Sequence, residues 1–359
     1  VAGGVTTGNP TTSASAVARD ALNNVVAATP VWSSSNARVA RVAADGTVQA
    51  IGSGSSTITA TFGSVTANAT LNVTAAASGF TVHVRMVTSV TPSVQTAFDN
   101  AATRWAQIIR GHLPDVSVNN LDVSACAGQS AGTTVLTEVL QDVVIYANIA
   151  PIDGVGSILG QAGPCFIRGG GGLPVIGMMK FDSDDLANME ANGILVPVIL
   201  HEMGHVLGIG TMWGSLLEDA MPSASQDPIF TGANAIWAMN NLGTGYAGRP
   251  APVENCVGRA NCGSGTINSH WREGILAREL MTGFVTSSGG LNPLSPLTAA
   301  SLIDIGYVVD VAQSDPQPWF LRLGPVTEEP LIEIREGSPP VPRAVDAAGR
   351  ILPSPVIRR

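Results

Sequence analysis

Apolar positions along the 359-residue chain fall into three regimes. Residues 1–76 carry short runs that alternate apolar and polar positions: VVAATPVW, ARVARVAA, GTVQAIG, STITATFG and ATLNVTA. Turn residues bound each run, and period-two runs at this spacing predict a small antiparallel sandwich. Ala75–Gly79 reads as a hinge. FTVHVRMV (80–87) then predicts a strand, and PSVQTAFDNAATRWAQIIRGH (92–112) an amphipathic helix. In that helix Phe98, Ala102, Trp105, Ile108 and Ile109 share one face. VLQDVVIYANIA (139–150) and LPVIGMMKFD (173–182) predict two more strands, the second entered from the glycine-rich RGGGG. SDDLANME (183–190) predicts a short helix capped by Asp182 or Ser183. The aspartates around it lack the spaced glycine and closing glutamate of a calcium loop.

GILVPVILHEMGHVLGIG (193–210) predicts a central helix that is apolar on almost every side. Pro197 is tolerated near its start, and Gly208 and Gly210 end it. From residue 313 onward prolines recur (PQPW, EEP, SPPVP, LPSP) without a long apolar period, which predicts a tail or linker over 313–359. Within it, PWFLRL is open to packing as a small appendage.

Length and composition narrow the picture. A chain this long exceeds what one core usually organises, so two domains are expected. With 45% apolar and 13% charged residues, it can bury a large core. A net charge of -9 offers no basic surface for nucleic acid or acidic lipid. There is no apolar run long enough to cross a bilayer and no signal peptide, and the chain begins at Val1, as expected of a mature or truncated product. Four cysteines, Cys126, Cys165, Cys256 and Cys262, form no CxxC pair. Two disulfides suit an oxidising compartment. Cys256 and Cys262 flank a short loop, which leaves Cys126 to pair with Cys165; the alternative is four buried thiols.

The chemistry concentrates in HEMGHVLGIGTMW (201–213). Residues four apart on a helix differ by only about 40° in direction. His201 and His205 therefore reach one ion, and Glu202, about 100° further round, can reach a water on it. A surface helix with two exposed histidines is the bland alternative. It fits poorly with a helix carrying Ile199, Leu200, Met203, Val206, Leu207 and Ile209, because buried histidines and a glutamate need partners. A catalytic zinc takes three protein ligands, yet Thr211 stands where the usual third histidine would follow Gly208. The chain has five histidines. His83 and His112 read as partly exposed structural residues, which leaves His270 in SHWREGILARELMTG.

HExxHxxG, a later histidine and a later methionine are the parts of a metzincin-type zinc peptidase, here with an insertion before the third histidine. With ILGQAGPC, AFDNAATRWAQII, HWREGILARELM and LTAASLIDIGYVVD, residues 80–312 resemble the leishmanolysin family. The order VWSSSNARVARVAADGTVQAIGSGSSTITATF resembles the bacterial immunoglobulin-like domains of group 2, with Trp32 a core residue between the sheets. The fold class expected is thus multidomain: an all-β immunoglobulin-like sandwich (1–76, its first strand incomplete), then an α+β metzincin-type peptidase (80–312), then the Pro-rich tail. The peptidase would combine a twisted sheet, an active-site helix and a mostly irregular or helical C-terminal subdomain.

The resemblance implies one catalytic Zn2+ on His201, His205 and His270. It makes Glu202 the general base and acid, Gly208 the chain-turning glycine, and Met281 an apolar floor beneath the ligands. It implies a secreted or cell-surface bacterial metalloendopeptidase acting on polypeptides, expected as a monomer. The family's cysteine-bearing pro-segment and its C-terminal set of disulfides have no counterpart here. Tyr146, Tyr246 and Tyr307 are equal candidates for an oxyanion helper. LPVIGMMKFD or the neighbouring glycine-rich loop is a candidate edge for pairing with substrate, and an internal strand is the alternative. The N-terminal module would space the enzyme or attach it to cell wall, matrix or carbohydrate. The competing function is an inactive protease-like adhesion protein. A structural zinc site would need a fourth ligand, and none stands near these motifs.

Overall fold

The computed structural model describes residues 5–7, 11–156, 158–170, 172–219, 227–241, 249–257, 265–286, 292–316, 331–334 and 341–353. Cys262, Tyr246 and PWFLRL lie outside the described residues.

The N-terminal unit is the expected sandwich. One sheet orders its strands Val5–Thr6, Val65–Thr74, Gly54–Phe62 and Val31–Ser34. The other places Thr47–Ala50 between Thr11–Ser13 and Ala40–Val42. Alternate residues point inward along each strand, so Ala40, Val42, Val48, Ala50, Ile58, Leu71 and Val73 form its core. Trp32 is only partly buried at the rim of this core, where Gly46 passes beneath its ring. Val31 and Ser33 beside it are exposed, so Trp32 lies on the inward face of its strand and packs against the core.

The second unit is built on a five-stranded mixed sheet. Its order is Val82–Met86, Val143–Ala150, Pro174–Asp182, Gly160–Arg168 and Arg343–Val345. The first three strands run parallel, and Gly160–Arg168 runs antiparallel to Pro174–Asp182. Parallel neighbours need a crossover, which the helix Pro92–Ile108 provides between Val82–Met86 and the rest of the sheet. Thr91 caps that helix by accepting from the Val94 amide, and Pro92 takes the first-turn position that costs no hydrogen bond. Phe98, Trp105, Ile108 and Ile109 face the core as the periodicity demanded.

Two expectations change here. LPVIGMMKFD is an internal strand, paired on both sides, so it cannot offer an edge. Within the stretch expected as tail or linker, Arg343–Val345 is an edge strand parallel to Phe166–Arg168, with Ala344 and Val345 buried. Three residues suffice because the sheet supplies the ladder and the core beneath it.

The short helix after the third strand spans Leu186–Ala191, and neither Asp182 nor Ser183 caps it. Asp182 instead accepts from the amides of Ile152, Asp153, Gly154 and Asp184. Burial pushes this carboxyl up, but those amides outweigh it and hold it below the usual carboxylate range.

The two units share a packed boundary. Ile51, from the sandwich, is fully buried in the core cluster of the peptidase unit. Its carbonyl accepts from the Val311 amide at 2.8 Å. Asp310 accepts from the amide and hydroxyl of Ser53, both at 2.7 Å. Arg38 donates to the carbonyls of Ala312 and Ser314. A Cβ on Gly52 would stand 2.2 Å from the Arg38 carbonyl oxygen and 2.5 Å from the Ala312 nitrogen, so only glycine fits. The stretch read as a hinge is also tied down: the Ala76 amide donates to Thr7, and its carbonyl accepts from Arg110.

Candidate metal centre

The central helix spans Leu195–Val206, shorter at both ends than its apolar run. It lies against the sheet where Gly177 leaves room for Val206: a Cβ there would come 2.2 Å from Val206 Cγ1. Trp105 Nε1 donates to the Leu200 carbonyl from the other side. After Leu207 the chain reverses at Gly208, whose φ of +112° favours glycine. Thr211 donates its hydroxyl to the His205 carbonyl, so it closes the helix end. Tyr307 donates to the Leu207 carbonyl at 2.9 Å and is fully buried. Burial raises the Tyr307 pKa. Tyr307 thus clamps the helix end, and this removes it from the oxyanion candidates. Tyr146 sits in the sheet beside Arg85.

The detour that begins at Thr211 returns through a small sheet. Leu217–Glu218 pairs with Ile229–Phe230, which pairs with Ala251–Pro252. Val253 then bridges Trp271. Three aromatic rings lock the start, middle and end of the loop together. Trp213 lies 4.7 Å from Trp271 and 5.1 Å from Phe230, and Phe230 lies 5.6 Å from Trp271. Such contacts contribute about 0.5–1.5 kcal/mol each beyond their buried area. Glu254, also buried, accepts from the amides of Asn255, Cys256 and Glu273, while its own amide donates to the His270 carbonyl. His270 is thereby delivered to the helix from 65 residues beyond His205.

His201, His205 and His270 are all fully buried. Their Nε2 atoms lie 3.0 Å (201–205), 3.1 Å (201–270) and 3.1 Å (205–270) apart. The opposite nitrogens are held by carbonyls: His201 Nδ1 by Leu280 at 2.6 Å, His205 Nδ1 by Ile209 at 2.8 Å, and His270 Nδ1 by Thr266 at 3.0 Å. A carbonyl only accepts, so each ring carries its proton on Nδ1. Three ring lone pairs therefore converge on one point, an arrangement that repels itself without a cation. A tetrahedral zinc with nitrogens at about 2.0–2.1 Å spaces them about 3.3 Å apart, close to what the rings show. The donor set and its outer hydrogen bonds fit zinc.

Glu202 is fully buried on the same helix. Gly160, the first residue of the antiparallel strand, lies over its carboxylate: a Cβ there would approach Glu202 Oε1 to 3.0 Å. Met281 is buried beneath the helix at Gly204, where a Cβ would meet its sulfur at 2.7 Å. Cys126 and Cys165 form a disulfide with Cα atoms 5.9 Å apart, which ties the loop after Val123 to the antiparallel strand. Cys256 is also disulfide-bonded.

Gly210 was read only as a helix terminator. Its φ is +73°, and a Cβ would lie 2.1 Å from the Ser269 carbonyl oxygen. It lets the returning chain touch the helix end at Ser269, one residue before His270. Gly210→Ala is expected to cost about 1–2 kcal/mol from the left-handed backbone alone, with the clash added. Thermal unfolding checks this, and a midpoint equal to wild type would refute the close approach.

A helix bearing HExxH, packed on a mixed sheet and completed by a distant histidine, defines the class: this is a metallopeptidase. The family model for leishmanolysin matches residues 107–325, and that for the bacterial Ig-like domain (group 2) matches residues 10–73. The chain belongs to the leishmanolysin family, whose members depend on zinc, with an immunoglobulin-like module in front. A search of curated proteins finds no match.

Proposed function

We propose that the chain is a zinc-dependent endopeptidase with one zinc held by His201, His205 and His270. The observation that carries this is the convergence of three Nε2 lone pairs, each fixed by a carbonyl behind the ring. Bound there, zinc supplies Lewis acidity that acidifies water and polarises a peptide carbonyl. The chain's own residues do the rest. As neutral ligands the histidines would leave the ion its full charge. Glu202 takes a proton from the attacking water and delivers it to the departing amine nitrogen. Burial keeps bulk water from competing for that proton.

Gly160–Arg168 is the strand we assign to the substrate. On the side away from Pro174–Asp182, the described residues pair only its Phe166–Arg168 half, with Arg343–Val345. An extended peptide adding to the Gly160–Pro164 half would pass over Glu202. Gly160 lacks the Cβ that would press on the Glu202 side chain.

We place the peptidase unit at residues 80–312, extended by the Arg343–Val345 strand, and the sandwich at 1–76. The family and the module together point to an extracellular or surface location. No described helix is long and apolar enough to cross a membrane.

Purified protein should cleave casein and a mixed peptide library at internal bonds, lose this on exposure to a chelator, and regain it with added zinc. Stoichiometric zinc without cleavage of any peptide would favour the adhesion-protein reading. Trimming of chain ends alone would remove the endopeptidase assignment.

A further inference from the structure

Glu279 is a fully buried acidic residue that the proposed chemistry leaves unused. Its Oε2 accepts from the Met281 amide at 2.6 Å. Its Oε1 accepts from the Ser295 amide at 3.1 Å, the Ser295 hydroxyl at 2.7 Å and the Thr298 hydroxyl at 2.6 Å. Four groups converge on it, two amide N–H donors and two hydroxyls. Burial outweighs these donors and raises the pKa of the group. Ser295 is also the N-cap of the helix Pro296–Asp304, whose positive end favours a negative charge at this spot.

The connections lead to two of the three histidines. The carbonyl of Leu280, between Glu279 and Met281, accepts from His201 Nδ1. The Thr298 hydroxyl that donates to Glu279 accepts in turn from Trp271 Nε1 at 2.8 Å, and Trp271 follows His270 directly. The Trp271 amide closes the circuit by donating to the Met281 carbonyl at 2.9 Å. One carboxyl group therefore fixes the turn that orients His201 and, through Thr298 and Trp271, the segment that presents His270. These two rings come from chain segments 69 residues apart, and they stack with an interplanar angle of only 12°.

We infer that Glu279 is a positioning residue that sets His201 and His270 to a common point by tying the methionine turn to the Ser295–Thr298 helix start. This inference rests on the zinc site proposed above. Outer hydrogen-bond partners of metal ligands typically contribute about 10–100-fold to metal affinity or activity. A residue with a merely structural role would lower thermal stability and leave the folded site's affinity alone.

The test uses the full chain as wild type, Glu279→Gln and Thr298→Val. Gln puts an amide donor among these four groups, and Val removes the hydroxyl that joins Trp271 to Glu279 while keeping its shape. The measurements are the zinc dissociation constant by chelator competition, the visible spectrum of the cobalt-substituted protein, kcat and KM on a peptide, and the unfolding midpoint of the zinc-free chain. Both variants are expected to bind zinc about 10–100-fold more weakly. Their cobalt bands should shift, and kcat should fall with KM unchanged. Wild-type zinc affinity and cobalt spectra in the variants would overturn the inference even if their melting points drop. If Glu279→Gln does not fold, Thr298→Val decides by the same criteria. A wild-type chain that binds no zinc overturns the function and this inference together; wild-type binding with unaltered variants overturns this inference alone.

Discussion

Glu202→Ala is expected to lower kcat for peptide hydrolysis by about 10²–10⁴-fold, the usual contribution of a placed general acid–base group. Zinc content should stay at the wild-type level, because Glu202 is not among the three converging nitrogens. The fold should also survive. Removing a buried carboxylate removes a group that is costly to bury, and Gly160 beside it gains space. The pairing of the two results is what makes the experiment informative. Activity lost with zinc retained isolates the proton transfer from metal binding. Full activity in the variant would remove Glu202 as the base, whatever its position.

His270→Ala carries the second large effect. The protein should no longer hold stoichiometric zinc after dialysis, and hydrolysis should fall with it. Two nitrogens on one helix remain, and the loss should exceed the roughly 10–100-fold seen for outer-shell changes. The loop itself should stay closed, since Trp213, Phe230 and Trp271 lock it independently of the imidazole. Metal analysis alongside near-ultraviolet circular dichroism checks both halves. Unchanged zinc in a folded variant would make another residue the third ligand.

The helix carrying HExxH was legible because two histidines four apart, with a glutamate beside the first, stand in a run that is apolar on almost every side. His270 was legible by scarcity and resemblance, with five histidines to choose from. Pairing of Cys126 with Cys165 followed from the cysteine arithmetic and stands in the structure. The antiparallel strand Gly160–Arg168 was not legible. Its GQAGPCFIR has small residues where alternation should show, because helix, loop and sheet all press on it and both faces are buried. Arg343–Val345 is too short to carry a period and exists as a strand only through its partner. Gly210 and Glu279 were missed for a different reason: each acts through a contact with a segment far along the chain, and local patterns hold no record of such distances. Gly210 had one usable signal, a second glycine after the helix had already been ended by Gly208.

Ile51 belongs to one family's stretch of sequence and to the other's interior. The two stretches are therefore not independent beads on a string in this chain. Gly52 must remain glycine for as long as Ala312 runs beneath it, and Ser53 and Asp310 form one lock whose halves lie 257 residues apart. A foreign module grafted in front of this peptidase would bring its own fold but leave a hole where Ile51 sat. The boundary that separates the families in sequence is thus, in this chain, a fitted interface whose two sides depend on each other's side chains.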